Sequence, residues 1–161
     1  MVRKYRKVAV GGTFDLLHRG HTDLIKKALE IGDCVAIGLT TDERLKTSPK
    51  NHFVAPYDER YKQLCDFLKK NRALKRIEIV PMKDQYGSTV FDGDIEALVV
   101  SYETYSKGDE INDIRRRKGF KTMKIITVDA VLADDGLPIS TTRIRRGEID
   151  REGHSIPAKE H

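Results

Sequence analysis

The sequence has no run of apolar residues long enough to cross a membrane. Its basic N-terminus lacks the apolar core of a signal peptide, which predicts a cytoplasmic protein. Cysteine is scarce: Cys34 and Cys65 stand far apart and form no Cys-x-x-Cys pair, so a zinc site built on them is not expected and both are read as buried thiols. There is no internal repeat, low-complexity segment or linker. A chain of 161 residues without them predicts a single domain that buries its own core. Only two glutamines and three asparagines accompany many Lys, Arg and Glu, a bias associated with heat-stable proteins. The dinucleotide fingerprint Gly-x-Gly-x-x-Gly is missing, and so is the Gly-Lys-Ser/Thr of a Walker A loop. No aromatic stacking motif of the RNA-recognition kind is present. The net charge of +5 therefore fits a phosphorylated small molecule as well as a nucleic acid.

What is present is alternation. Apolar runs at residues 7–12, 34–39, 76–81, 97–101 and 123–128 read as five strands. Between them, residues 19–31, 57–71 and 111–117 read as helices, and 140–146 as a last one with Ser140 as N-cap. Gly32 is expected to cap the first helix, and Tyr61, Leu64, Cys65 and Leu68 to share the buried face of the second. Strands apolar throughout and separated by helices indicate a parallel sheet covered on both faces. The expected fold is α/β, a Rossmann-like, doubly wound five-stranded parallel sheet in a single domain over residues 1–150. A polar tail, 151–161, is expected to be loosely attached.

The first strand-to-helix junction reads Gly11-Gly12-Thr13-Phe14-Asp15-Leu16-Leu17-His18-Arg19-Gly20-His21. In such folds ligands bind beyond the carboxyl ends of the strands. Glycines there let backbone approach a phosphate, and the helix start offers free N–H groups. His18 and His21, three apart, share one helical face, and Gly20 is read as leaving room for a nucleotide between them. A plain turn or a metal site would explain parts of the string, but no third metal ligand is evident nearby. Near the other end, Ser140-Thr141-Thr142-Arg143-Ile144-Arg145 sets hydroxyls at a helix start with arginines behind, which suits phosphates as well as an ordinary cap.

The first string resembles the Gly-Thr-Phe-Asp…His-x-Gly-His signature of the nucleotidylyltransferase superfamily, and Ile-Ser-Thr-Thr-x-Ile-Arg resembles its second signature. The stretches 42–46, 55–60, 80–87 and 99–112 extend the similarity to the archaeal-type phosphopantetheine adenylyltransferases and to the matching domain of eukaryotic CoA synthase. The resemblance spans roughly residues 6–150, and 99–112 is its discriminating part.

The implied reaction joins ATP and 4′-phosphopantetheine, by in-line attack of the substrate phosphate on the α-phosphate, to give dephospho-CoA and pyrophosphate. Little covalent chemistry falls to the protein, whose work is alignment and charge stabilisation. The resemblance implies that Thr13 orients the incoming phosphate, with Gly12 and the Phe14 N–H beside the nucleotide. His21 is placed on the α-phosphate, His18 on the triphosphate, and Lys46 on the nucleophilic phosphate. Ser140, Thr141, Thr142 and Arg145 are placed on the β- and γ-phosphates. Tyr86, Tyr102, Glu103, Thr104 and Asn112 are candidates for the acceptor, ribose or base. Residues 115–117 are read as a partly solvated helix face. Mg²⁺ is expected on the triphosphate with no protein ligand named. ATP and phosphopantetheine are the expected partners, with no nucleic acid and no membrane, and no oligomeric state follows. Two rivals remain: another transferase of this fold, such as a glycerol-3-phosphate cytidylyltransferase or FAD synthetase, and a nucleotide- or RNA-binding module with a degenerate site.

Overall fold

The structure, a computed structural model, describes residues 3–47 and 53–157. Five parallel strands, β1 (Tyr5–Gly12), β2 (Gly32–Thr40), β3 (Ile77–Met82), β4 (Ala97–Ser101) and β5 (Lys124–Val128), lie in the order β3-β2-β1-β4-β5. Helices α1 (Arg19–Ile31), α2 (Asp42–Thr47), α3 (Tyr57–Lys70), α4 (Tyr105–Arg117) and α5 (Thr141–Arg145) connect or follow them. No helix among the described residues is long and apolar enough to cross a membrane.

The strands are apolar throughout because both faces are covered. Val8, Val10, Ala97 and Val99 face one way, into a core with Ile25 and Ala28 of α1 and Leu64 and Leu68 of α3. Their neighbours Ala9, Leu98 and Val100 face the other way, against Ile111 of α4, Val90 and Met123. The chain steps outward from β1 through β2 to β3, then returns to the other side of β1 for β4 and β5. Right-handed crossovers then put α1 and α3 on one face and α4 on the other. The strand order reverses between β1 and β4, and their carboxyl ends form the crevice where such folds bind ligands.

Several sequence expectations change. Gly32 is the C-cap of α1 as expected, its N–H donating to the Ala28 carbonyl, but its φ is −118° rather than left-handed and it opens β2 directly. Glycine is needed there because a Cβ would stand 2.6 Å from Val8 Cγ2. On α3 the buried face is Arg60, Leu64 and Leu68, whereas Tyr61 is exposed. The two cysteines are only half-buried. Helix α4 begins six residues earlier than its apolar pattern suggested, at Tyr105, because its first turns face solvent.

Residues 115–117 are not one solvated face. The Arg115 side chain is fully buried, and its guanidinium donates to the carbonyls of Thr89, Asp92, Ile95 and Lys121 at 2.7–3.0 Å. It holds together the loop entering β4, so it is not available to a phosphate. The segment after Asp150 is tied down as far as Ile156, whose N–H donates to the Glu148 carbonyl at 3.0 Å. Ile149 bridges Ser155, Arg151 accepts the Arg19 N–H at 3.0 Å, and Gly153 packs on Ile139. Residues 158–161 lie outside the described residues.

Candidate active site

The loop from Gly12 to His18 is built on strained backbone. Phe14 and Leu16 carry φ of 50° and 55°, a left-handed conformation that costs a non-glycine residue energy and persists only where its surroundings hold it. Several contacts hold it here. Phe14 is buried and meets the His21 ring edge-on at 5.3 Å. The fully buried Arg60 donates to the carbonyls of Thr13 (3.0 Å), Thr40 (2.8 Å) and Ala55 (2.7 Å) and pairs with Asp42 at 3.0 Å. One guanidinium thus ties the end of β1 to the end of β2 and to the start of α2. Asp42 also accepts the N–H of Tyr57, supplying the cap that Pro56 cannot give α3.

His18 is the N-cap of α1. Its Nδ1 accepts the N–H groups of Gly20 (3.0 Å) and His21 (3.4 Å), while His21 Nδ1 accepts the N–H of His18 (3.2 Å). This is a capping box made of two imidazoles in place of hydroxyl and carboxylate. The rings stack with centroids 3.6 Å apart. An Nδ1 that accepts a backbone N–H carries no proton, so in each neutral ring Nε2 is the donor. Gly20 serves this cap: a Cβ there would stand 2.8 Å from His18 Cε1.

Burial pushes the His18 pKa down to about 4, only partly opposed by the charge of Asp15. At neutral pH the ring is a neutral donor. Because the folded pKa is depressed, the unfolded chain binds the extra proton between about pH 6.5 and 4, and stability falls as pH drops through that window. The shift corresponds to about 3 kcal/mol. Replacing His18 with Asn keeps a capping oxygen and removes the titration. Denaturant unfolding at pH 7 and pH 4.5 is expected to show a smaller acid loss for the variant, and equal losses would remove His18 as the titrating group.

The second signature folds as foreseen at its start. Ser140 accepts the N–H of Arg143 at 3.2 Å and caps α5. Its later residues bond the first signature. Arg145 makes a two-point ion pair with Asp15, Nε to Oδ2 at 3.0 Å and Nη2 to Oδ1 at 2.9 Å. Its guanidinium also lies 5.0 Å from the centre of the Phe53 ring. Thr141 Oγ1 donates to the Asp15 carbonyl at 3.0 Å. Arg143 pairs with Asp135 and Glu148. Asp15, 2% exposed, also accepts the Ala55 N–H at 3.2 Å. It is the knot joining both signatures, a role the sequence string contained without marking.

A cavity of about 370 Å³ opens beyond β1, β2, β3 and β4. Gly12 and Thr13 line one end, with Arg44 of α2 beside them; Tyr86, Thr104 and Lys107 line it further along. Lys107 Nζ donates to Gln85 at 3.0 Å and Tyr86 Oη to Glu110 at 3.3 Å, so two side-chain bonds cross between the loop after β3 and α4. His18, His21 and the second signature are not part of this wall.

The remaining candidates divide. Tyr102 and Glu103 are exposed on a turn after β4, Tyr102 at 83%. Asn112 is not in the cavity: its amide exchanges two bonds with Met123, 2.9 and 2.8 Å, and fastens α4 to the start of β5. Lys46 is exposed on α2 and does not reach the wall, whereas Arg44 does. Arg44 and Arg60 lie within the stretches 42–46 and 55–60, but an arginine in an amphipathic helix gives no sequence sign of facing inward.

The cytidylyltransferase-like family model matches residues 9–147. A phosphopantetheine adenylyltransferase from Methanothermobacter thermautotrophicus is 49% identical over 156 residues, covering 97% of this chain and 93% of the relative. One from Pyrococcus horikoshii is 40% identical over 155 residues, 96% and 98% of the two chains. A crystal structure of a protein of unknown function from Archaeoglobus fulgidus superposes with a TM-score of 0.68 at 36% identity, over 76% of this chain and 89% of that one. With both signatures in one crevice and identity running almost end to end, the chain belongs to the phosphopantetheine adenylyltransferases, within the cytidylyltransferase-like family.

Proposed function

We propose that this enzyme transfers the adenylyl group of ATP to 4′-phosphopantetheine, releasing pyrophosphate and forming dephospho-CoA. Besides the family, one observation carries the reading. A single loop, residues 12–18, lines the acceptor-sized cavity at Gly12 and Thr13 and grips the second signature at Asp15. The acceptor arm lies in the cavity with its phosphate at Thr13. ATP lies over His18, His21 and the start of α5. Nucleophile and α-phosphate then meet at the loop, where alignment supplies much of the rate enhancement.

The Nε2–H groups of the two histidines donate to phosphate oxygens as negative charge develops, His21 at the α-phosphate and His18 towards the triphosphate. The Phe14 N–H contacts the incoming phosphate beside Thr13. Ser140, Thr141 and Thr142 bring backbone N–H groups, and Ser140 and Thr142 their hydroxyl protons, to the β- and γ-phosphates, while Thr141 Oγ1 and Arg145 fix Asp15. Helix α2 supplies positive charge to the acceptor phosphate through Arg44, which lines the cavity, and Lys46 reaches that phosphate only by swinging in from solvent.

Mg²⁺ travels with the triphosphate and keeps most of its waters. Asp15 does not fit it as a ligand, because both carboxylate oxygens already accept bonds from Arg145 and Ala55. The setting is cytoplasmic, where ATP is available.

Pyrophosphate release with a panel of acceptors and nucleotides tests the reading. Turnover is expected with ATP and phosphopantetheine. Turnover with CTP and glycerol 3-phosphate alone would overturn it.

A further inference from the structure

Three glycines and one methionine meet at the floor of the cavity. Gly11 on β1 and Gly38 on β2 are register partners, and Gly87 follows β3 with a left-handed φ of 59°. Met82, the last residue of β3, lays its side chain against all three. A Cβ built on Gly38 would stand 3.2 Å from Met82 Sδ, one on Gly11 3.3 Å from the same atom, and one on Gly87 3.1 Å from Met82 Cγ. All four residues line the cavity. The Met82 backbone is fixed, its carbonyl accepting the Thr41 N–H at 3.1 Å, so only the unbranched thioether can give way.

Glycine at these positions is not explained by turn geometry alone. Gly11 and Gly38 sit in ordinary strand pairing, where glycine weakens a sheet and usually marks a close approach. Here the approaching group is the Met82 sulfur. A Cβ at either position crowds the Met82 sulfur at 3.2–3.3 Å, so the thioether must give way, and the open side is the cavity that it lines.

We infer that Met82 sets the cross-section of the acceptor channel and selects acceptors by the girth of their arm. The inference rests on the acceptor reading of the cavity proposed above. The three glycines are what seats Met82 low enough for the arm to pass. The chemistry selected is a slender, flexible phosphorylated chain.

A mutant cycle on the full chain, read by pyrophosphate release, tests it. Gly38→Ala is expected to raise the KM for phosphopantetheine about tenfold while leaving the KM for ATP within about twofold. Met82→Ala loses the floor contacts and raises the acceptor KM roughly threefold. In the Met82→Ala background, Gly38→Ala is expected to add nothing, because the group that it displaces is gone. If Gly38→Ala alone does not fold, the comparison of Met82→Ala with the double variant still decides. Additive losses in the cycle, or a rise in both KM values together, would overturn the inference. A wild-type enzyme without turnover on phosphopantetheine would overturn the functional reading, and the inference with it.

Discussion

Replacing His21 with Asn is expected to lower kcat by about 10²–10³-fold while the protein still folds. The choice of Asn follows from the two separate duties of the ring. Nδ1 accepts the His18 N–H at 3.2 Å and completes the cap of α1, whereas Nε2–H is the donor proposed for the α-phosphate. Asn places an oxygen near the Nδ1 position and nothing at Nε2. Gln reaches further, towards the Nε2 position, and should recover part of the turnover. His21→Ala removes both duties and is expected to lose about 1 kcal/mol of stability besides the activity. Its stack on His18 and edge contact with Phe14 add to that loss. Steady-state kinetics beside thermal melts separates the two effects. Near-normal kcat in the Asn variant removes His21 from the chemistry.

The largest expected effect on stability belongs to Arg145. Arg145→Met is expected to cost about 3 kcal/mol, or roughly 10 °C in melting temperature for a chain of this size. The reason is its partner. Asp15 is 2% exposed and loses a two-point, charge-assisted pairing while its carboxylate stays desolvated. Activity falls too, because the strained loop that carries Thr13 and His18 loses its anchor to α5. The double variant Asp15→Asn, Arg145→Met removes the orphaned charge and should regain part of the stability but little of the activity. A melting temperature for Arg145→Met within about 1 °C of wild type would mean that the pair contributes nothing measurable.

The sheet was legible because burial on both faces leaves an apolar run for every strand, and 97–101 is read to the residue. Helix α1 was equally clear, since Leu24, Ile25, Ala28 and Leu29 repeat at helical spacing. The two signatures identified the chemistry. What stayed hidden were the polar groups that face inward. Arg60, Arg115 and Asn112 satisfy backbone carbonyls or amides from distant segments, and nothing local in a sequence distinguishes such a side chain from a solvated one. The Arg145–Asp15 pair was hidden for the same reason, the two residues lying 130 positions apart. Met82 gave no sign at all: its meaning comes from three glycines on three different segments.

That 130-residue separation also has a consequence for the order of events in synthesis. The loop bearing His18 is synthesised well before the residue that clamps it, Arg145, which lies 130 positions beyond Asp15. Loop closure over such a span is slow and late relative to local helix formation. A nascent or truncated polypeptide therefore carries the first nucleotide-binding string without the geometry to use it. Catalytic competence is expected only once Arg145 is in place, so a polypeptide cut short of it should not spend ATP.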